Sequence, residues 1–293
     1  MARVDTPEQA REWTRRYHEA GFQQMKIYSS VKLENLKAVA EEAHRLGMTV
    51  TGHVPTGLNA FQVVEAGQDQ INHFSSILSV LFPPLPDTTK PIDRLRAFID
   101  AEPNSAEVEK AIAFFKDHGT VLDPTLALTE LESATIARPP ASFEPGVTKV
   151  APELAAQLLD VDAPSPNSGL FEKMFRKELS ILGLFHRAGI AIVAGTDQAV
   201  PGHSVHREIE LYVQAGFTPL EALQAATRVP ALVMGLEKEL GTIEEGKRAD
   251  LIILNGNPLE DIHNSRNVES VITGGTMYNT AQLWQGAGFK PWP

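Results

Sequence analysis

The chain has 293 residues, and 26 lysines and arginines against 37 aspartates and glutamates give it a net charge of −11. This acidic balance disfavours nonspecific binding to nucleic acid or to an anionic membrane surface. Cysteine is absent, which excludes disulfides and thiolate ligands, so any bound metal must be held by nitrogen and oxygen atoms.

Nothing in the sequence predicts a membrane segment or a secretory signal. No apolar run approaches the roughly 18 residues that a membrane span requires. Residues 1–21 are charged and helix-like, which is not typical of a signal peptide. By default these features indicate a cytoplasmic protein without a membrane partner.

Helix-like segments alternate with short apolar runs through most of the chain. The first helix is expected to begin at Pro7, behind the capping residue Thr6, and to end at Gly21. The apolar runs predict strands at 24–28, 48–53, 70–74, 120–128 and 190–194. Further helices are predicted at 33–46, 58–66, 104–118, 170–188, 205–215 and 219–234.

This alternation predicts an α/β fold with a parallel sheet or barrel. Only five strands precede residue 200, whereas a complete (β/α)8 barrel needs eight. Residues 78–103 and 130–168 break the rhythm and are expected to form loops over a binding site. Residues 240–254 have hairpin character, and two further short strands flank Gly274, which predicts a small antiparallel unit. We therefore expect a barrel-like domain over residues 1–236 and a β segment over 237–293.

Four polar residues lie where predicted strands end, namely Lys26, His53, His73 and Asp197. In a β/α barrel the carboxyl ends of the strands carry the catalytic groups. Imidazole is a common metal ligand, and an aspartate can bind a metal or accept a proton from metal-activated water. Taken singly, each histidine is better explained as a hydrogen-bonded core residue, and the alternative for Asp197 is a helix cap, although its place after an apolar strand favours a functional role. The four together indicate a metal site.

Lys26 cannot bind a metal as an ammonium, because that group has no lone pair. Burial between Met25 and Ile27 would favour the neutral amine. A neutral amine can react with carbon dioxide to form a carbamate, whose two oxygens are anionic ligands. The alternative is a structural lysine that pairs with Asp197 or with another acidic side chain.

Three residues are candidates for substrate contact. Tyr28 shares a strand face with Lys26 because side chains alternate with period two, although a packed tyrosine explains the pattern better. His203 and His206 follow Asp197 and would lie above the same site, or they are solvated residues at the start of a helix.

These motifs resemble the metal-dependent amidohydrolase superfamily, especially its imidazolonepropionase-like and Xaa-Pro dipeptidase-like branch. The most specific part is the tail, with TPLEALQAAT from Thr218 onward followed by LGTIEEGKRADLIILNGNPLEDI. The resemblance implies that Lys26 is the carboxylated lysine of barrel strand four. It also implies that His53 and His73 are the metal-binding histidines of strands five and six, and Asp197 the catalytic aspartate of strand eight.

The sequence departs from this family because it has no His-x-His pair and no counterpart of barrel strands one to three. The resemblance therefore implies a partial (β/α)8 TIM-like barrel, containing strands four to eight, with a small C-terminal β-sandwich segment. One divalent metal, expected to be Zn²⁺, would be held by Lys26, His53 and His73. An open barrel exposes strand edges and apolar surface, so we expect a homo-oligomer or a complementing chain.

The leading functional hypothesis is a metal-dependent hydrolase that cleaves a small amide or a carboxyl ester with metal-activated water. The resemblance indicates a dipeptide, an N-acyl amino acid or a cyclic amide as the substrate. One alternative is a truncated, weakly active or inactive subunit that needs a partner chain. Another is a metal-free serine-type esterase that uses Ser75 or Ser76 with His73, but no nucleophile-elbow pattern supports it.

Overall fold

The computed structural model describes residues 3–86, 88–161, 168–197 and 199–292. The chain divides into two compact units, Met1–Pro124 with Leu184–Val193 and Thr125–Gly183 with Ala194–Pro293. Each unit is described by itself below. The domain boundary predicted between residues 236 and 237 stays a prediction. No helix in the described ranges has both the length and the apolar character that crossing a membrane requires.

The first unit alternates helices and strands along the chain. Its elements are α1 (Pro7–Glu19), β1 (Gln24–Ile27), α2 (Leu33–Arg45), β2 (Thr49–Gly52), α3 (Ala60–Glu65), β3 (Gln70–Asn72), α4 (Pro91–Asp100), α5 (Ala106–Asp117) and β4 (Val121–Asp123). The predicted start of α1 is confirmed, since Thr6 Oγ1 accepts a hydrogen bond from the Gln9 N–H and Pro7 is the first helical residue. A short 3₁₀ helix, Phe74–Val80, follows β3.

The strands of this unit are parallel and follow one another in chain order. β1 pairs with β2, and β3 pairs with β4. The Asp69 N–H donates to the Val50 carbonyl over 2.9 Å, which joins the start of β3 to β2. Leu122 forms a parallel bridge to Ile192, so the strand predicted at 190–194 is reduced to a single bridge. The predicted α/β class is confirmed, whereas the barrel remains an interpretation.

The two faces of these strands differ in polarity. Val50, Ile71 and Leu122 are buried apolar residues of the central strands. The helix α2 packs against β1 and β2, and its residues Leu36 and Val39 are buried. Because side chains alternate along a strand, the intervening residues lie on the opposite face, which is polar.

The second unit is mainly helical and ends in a small sheet. Its elements are α6 (Leu126–Glu132), α7 (Pro152–Leu159), α8 (Ser168–Arg187), α9 (Ser204–Gln214), α10 (Pro219–Ala225), α11 (Arg228–Val233), β5 (Leu251–Leu254), β6 (Val268–Thr273), β7 (Thr276–Asn279) and α12 (Thr280–Gly286). The last turn of α8, from Leu184, belongs to the first unit. Short 3₁₀ helices occur at Pro140–Ser142, Pro145–Thr148 and Ile262–Arg266.

The C-terminal sheet is antiparallel, with the order β5-β6-β7. The prediction of two strands around Gly274 is confirmed. Gly274 and Gly275 have φ values of 54° and 80°, which suit the tight turn between β6 and β7. The hairpin predicted within 240–254 is wrong, because residues 240–250 contain no strand and β5 pairs with β6 instead.

The strand predicted at 120–128 is also wrong beyond Asp123. Pro124 ends the strand, Thr125 turns the backbone with a φ of 50°, and α6 begins at the next residue. The Glu208 carboxylate accepts hydrogen bonds from the N–H groups of Leu126, at 2.9 Å, and Ala127. A distant carboxylate thus stabilises the start of a helix whose N-cap residue, Thr125, makes no side-chain capping hydrogen bond.

Three other predictions need correction. The region 78–103 was expected to be a loop, but it contains α4. The region 130–168 contains two 3₁₀ helices and α7, and its residues 162–167 lie outside the described residues. The helix predicted at 219–234 is divided into α10 and α11, because Thr227 leaves the helical conformation with φ −133° and ψ −78°.

A network of buried ion pairs joins separate segments of the second unit. Arg207 binds Glu130 at 2.6 Å and Glu210 at 3.0 Å, and Arg266 binds Glu144 at 2.8 Å and also Glu210. All five side chains are buried. Each charge therefore has the close partners that compensate for its removal from water.

Candidate functional site

The centre of the candidate site is a pair of histidines that follow neighbouring strands. His53 comes directly after β2, and its N–H donates to the Ile27 carbonyl over 3.0 Å. His73 comes directly after β3, and its N–H donates to the Asp123 carbonyl over 2.8 Å. The two Nε2 atoms are 3.1 Å apart, and the rings meet edge to face. The structure thus brings together two of the predicted metal ligands.

Two imidazole nitrogens this close either share a proton or share a cation. If they share a proton, one Nε2 must carry hydrogen and donate to the other. If they share a zinc ion, bonds of about 2.0–2.1 Å at a tetrahedral angle place the two nitrogens about 3.3 Å apart. The observed 3.1 Å fits an N–H···N hydrogen bond as it stands, and a small outward movement of the rings would give the zinc arrangement. The pair therefore fits one edge of a metal coordination sphere.

Two of the predicted site residues, one in each unit, have a strained backbone. His73, Thr125 and Asp197 are the non-glycine residues with positive φ in the described ranges, at 66°, 50° and 43°. A left-handed conformation costs a non-glycine residue roughly 1–2 kcal/mol, and such residues cluster at functional sites. Two of the three belong to the predicted site, and Thr125 was not anticipated.

Gly52 allows the approach that places His53. Its φ is 134°, and a Cβ atom there would lie 2.2 Å from the Ile27 carbonyl oxygen and 2.6 Å from the Ile27 nitrogen. No real Cβ contact is that short, so only glycine permits β1 and β2 to meet at this point.

Two residues that directly follow β1 contact the His53 ring. Tyr28 stacks on the ring with centroids 4.7 Å apart, and Ser29 Oγ lies 3.1 Å from His53 Nδ1. Lys26 Nζ lies 5.5 Å from the centre of the Tyr28 ring. Tyr28 is 40% exposed, so it packs on one face and stays accessible on the other. Ser29 was not predicted, because no sequence pattern distinguishes it from other loop serines.

The expected burial of Lys26 is wrong, because its side chain is exposed. Met25 and Ile27 flank it in sequence, but they point to the other face of β1, since side chains alternate along a strand. Apolar neighbours in sequence therefore do not enclose this lysine.

A row of polar side chains crosses the strands beside Lys26. Lys26 pairs in register with Thr51, and Asn72 with Asp123. Thr51 Oγ1 donates to Asn72 Oδ1 over 3.1 Å, and Asn72 Nδ2 donates to Asp123 Oδ2 over 2.7 Å. This row was not predicted from the sequence. A polar residue two positions before the end of the strands predicted at 24–28, 48–53 and 70–74 was the available signal for Lys26, Thr51 and Asn72.

The remaining predicted site residues belong to the second unit. Asp197 is exposed and lies in a turn. His203 is buried and stacks on Trp284, with centroids 4.6 Å apart and planes 3° from parallel. His206 is half-buried, with its Nδ1 3.2 Å from Ser265 Oγ. Substrate contact by either histidine stays a prediction.

Burial sets the protonation of both histidines. It lowers the pKa of His203 to about 4, and the positive charges of Arg266 and Lys149 act in the same direction. Burial also lowers the pKa of His206 to about 4, with the Arg266 charge as the next cause. Both rings are therefore neutral at physiological pH.

Within the described parts of the chain, no group of three or more histidines, aspartates or glutamates is close enough to hold a metal. Of the predicted metal ligands, the first unit brings His53 and His73 together, and Tyr28 and Ser29 contact the His53 ring. The pair lies at the carboxyl ends of strands β2 and β3. The chain is therefore an α/β protein with a candidate metal-binding edge.

The chain belongs to the amidohydrolase family, whose sequence profile matches residues 6–278. Over 108 residues it is 39% identical to ochratoxinase of Aspergillus niger, which corresponds to 36% of this chain and 22% of the ochratoxinase. This match and the family profile confirm the family resemblance seen in the sequence motifs.

Solved structures share the fold at low sequence identity. A Xaa-Pro dipeptidase with methionine bound in its active site matches with a TM-score of 0.63 and 23% identity, over 94% of this chain and 59% of the dipeptidase. Bottromycin amidohydrolase matches with a TM-score of 0.62 and 19% identity, over 99% of this chain and 64% of that protein. The chain thus spans about three fifths of the length of these structures.

Proposed function

We propose that this chain is a metal-dependent hydrolase that cleaves an amide bond, or a carboxyl ester, with metal-activated water. The observation that carries the proposal is the 3.1 Å separation of the His53 and His73 Nε2 atoms at the ends of neighbouring parallel strands. Membership of the amidohydrolase family supports the same reaction class.

In this proposal His53 and His73 hold the metal, and Lys26 joins them as a carbamate. Lys26 is exposed, so burial does not supply the neutral amine that reacts with carbon dioxide, and the carbamate is proposed from the family resemblance alone. A divalent metal such as Zn²⁺ would polarise the scissile carbonyl and make hydroxide available from water near neutral pH. Ser29 can accept a hydrogen bond from His53 Nδ1, which would leave the Nε2 lone pair free to bind.

Asp197 is the proposed proton carrier, and it could also act as a metal ligand. Its carboxylate takes a proton from the attacking water and passes it to the leaving nitrogen or oxygen. The strained turn at Asp197 supports a functional role, because a φ of 43° is unfavourable for an aspartate that only caps a helix. Tyr28, with one exposed face beside His53, is the proposed substrate contact.

The proposed substrates are small amides, namely a dipeptide, an N-acyl amino acid or a cyclic amide. The relatives carry names of this kind, since one is a Xaa-Pro dipeptidase and another an amidohydrolase. A carboxyl ester passes through the same tetrahedral geometry and is a second candidate substrate class.

A second candidate is a subunit that needs another chain for turnover. The observation that favours it is that β1 pairs with β2 on one side and with no strand among the described residues on the other. Either a homo-oligomer or a complementing chain could cover that edge. A serine-type esterase has less support, because His73 Nε2 faces His53 and not Ser75 or Ser76.

Metal content and hydrolysis, measured on the same preparations, test the leading proposal. We expect the purified chain to bind Zn²⁺ and to hydrolyse N-acyl amino acids or Xaa-Pro dipeptides. His53→Ala should lose metal and activity, and Asp197→Ala should lose activity. His44→Ala is the matched control, since His44 forms an exposed pair with Asp69 in the same unit. Hydrolysis that survives both substitutions and chelation would exclude the metal mechanism.

A further inference from the structure

Strands β2 and β3 meet along a seam, and His53 and His73 lie at its end. The two strands belong to separate two-stranded sheets, because β2 pairs with β1 and β3 pairs with β4. The N–H of His53 donates to β1, and the N–H of His73 donates to β4. Successive residues of a parallel strand direct their peptide groups to opposite edges. The peptide groups of Gly52 on β2 and of Gln70 on β3 therefore face the seam.

The side-chain amide of Gln68 fills the seam between these two peptide groups. Its Nε2 donates to the Gly52 carbonyl over 2.9 Å and to the Gln70 carbonyl over 3.0 Å. The His53 carbonyl is a third, longer acceptor at 3.4 Å. A regular parallel ladder would satisfy such carbonyls with backbone N–H groups of the facing strand. Here one inserted side chain binds both strands.

Burial shows what this glutamine is suited to do. Gln68 is 2% exposed, and its Oε1 has no hydrogen-bond partner among the described residues. A buried acceptor without a partner costs free energy. An apolar side chain of the same size would avoid that cost but could not bind the two carbonyls. The donors of Gln68, and not its volume, therefore distinguish it from a packing residue.

Two other side chains cross the seam beside Gln68. The Asp69 carboxylate accepts a hydrogen bond from the Val50 N–H over 2.7 Å, and Thr51 Oγ1 donates to Asn72 Oδ1 over 3.1 Å. A backbone ladder holds neighbouring strands about 4.7–4.9 Å apart. Links made by side chains do not impose that spacing, so the inserted groups determine how the two strands meet.

We propose that Gln68 is a positioning residue that sets the separation of the His53 and His73 imidazoles. Its amide binds the carbonyl of Gly52, which directly precedes His53, and ties it to Gln70, three residues before His73. The 3.1 Å between the two Nε2 atoms thus depends on the seam staying closed at this amide. The inference deepens the proposed function, and it rests on that function only where the pair binds a metal.

The first test uses the metal-free chain, so it depends neither on turnover nor on a metal. Nitrogen-15 NMR of the imidazole rings at a fixed pH reports whether the two Nε2 atoms remain in contact. In Gln68→Met the donors are lost, and the Nε2 resonances of His53 and His73 should move toward those of solvent-exposed imidazoles. Gln68→Asn keeps an amide but is one methylene too short to reach Gly52, and it should shift them in the same direction.

Gln62→Met is the matched control. Gln62 lies on α3, and its Oε1 accepts a hydrogen bond from the Asn59 N–H over 2.9 Å in a capping box. The same substitution there removes a hydrogen bond and some stability from the same unit without touching the seam. The imidazole resonances should therefore stay where they are in the unmodified chain.

Zinc titration by calorimetry gives a second readout. Groups that orient metal ligands typically change metal affinity by about 10–100-fold, so Gln68→Met should bind Zn²⁺ at least tenfold more weakly than Gln62→Met. The absorption bands of bound Co²⁺ should also differ, because they report the geometry of the ligands. A loss of stability alone leaves those bands unchanged.

Each outcome decides for or against the proposal. Unchanged resonances and zinc affinity in the Gln68 variants, equal changes in Gln62→Met, or failure of both Gln68 variants to fold while Gln62→Met folds would overturn it. If the unmodified chain binds no zinc but its imidazole resonances respond to Gln68, the proposed function fails and the inference stands. If every variant binds zinc alike, the inference fails and the proposed function stands.

Discussion

Gly52→Ala is expected to be among the most damaging single substitutions near the histidine pair. A Cβ at this position would lie 2.2 Å from the Ile27 carbonyl oxygen, and the neighbouring atoms belong to rigid backbone. Overpacking of this kind costs about 1–3 kcal/mol, and the φ of 134° adds roughly 1–3 kcal/mol. We therefore expect the free energy of unfolding to fall by about 2–6 kcal/mol.

The same substitution should also displace His53, because β1 and β2 must separate to admit the methyl group. Urea unfolding measures the stability, and zinc titration by calorimetry measures the site. Gly57→Ala is the matched control, since Gly57 has a φ of 86° but no atom within 4 Å of where a Cβ would lie. It should cost only about 1–2 kcal/mol and leave zinc binding unchanged. If the two variants lose equal stability, the close approach of the strands is not what requires glycine here.

Two further predictions concern pH. Burial raises the pKa of the Glu178 carboxyl well above its usual range, with Glu132 and Glu208 acting in the same direction. Folding therefore favours the protonated carboxyl, and this contribution to stability is lost as pH rises from the ordinary value of 4.5 through the raised pKa. Glu178→Gln should remove this loss, which is measured by comparing urea unfolding at pH 5 and pH 8. The control is Glu172→Gln, which breaks an exposed ion pair on the same helix and should cost less than about 0.5 kcal/mol at either pH. His203 has the opposite sign, because its pKa of about 4 lies below the ordinary 6.5. Its contribution is complete above pH 6.5 and is lost as pH falls toward 4, so His203→Phe should unfold with a weaker acid dependence while keeping the stack on Trp284.

Each pH prediction has an outcome that contradicts it. If the stability lost between pH 5 and pH 8 is the same in Glu178→Gln, this carboxyl is already ionised in the folded chain. An acid dependence that is unchanged in His203→Phe would mean that His203 titrates alike in the folded and unfolded states.

The sequence predicted correctly those elements that neighbouring residues determine. The cap at Thr6 and the turn at Gly274 were predictable because neighbouring residues determine them. The start of α6 was not, since it depends on Glu208, 82 residues away from Leu126. Strands were predicted too long at 120–128 and 190–194 because apolar runs do not show where a partner strand ends.

The candidate site was predictable only in part, because some of its features depend on neighbouring residues and others on tertiary contacts. His53 and His73 were identified because each follows an apolar run, and their contact follows from the parallel order of β2 and β3. The exposure of Lys26 was missed because sequence neighbours occupy the opposite face of the strand. Ser29 was missed because its role depends on a tertiary contact with His53.

The buried ion pairs of the second unit restrict where this chain can be cut or rearranged. Glu130, Glu144, Arg207 and Arg266 come from widely separated positions, and removing one partner leaves a buried charge uncompensated, at a cost of about 3–5 kcal/mol. A shortened chain that ends before residue 266 would lack Arg266 and so lose this compensation at once. The second unit should therefore unfold as a single cooperative block, and limited proteolysis should yield either the whole unit or none of it.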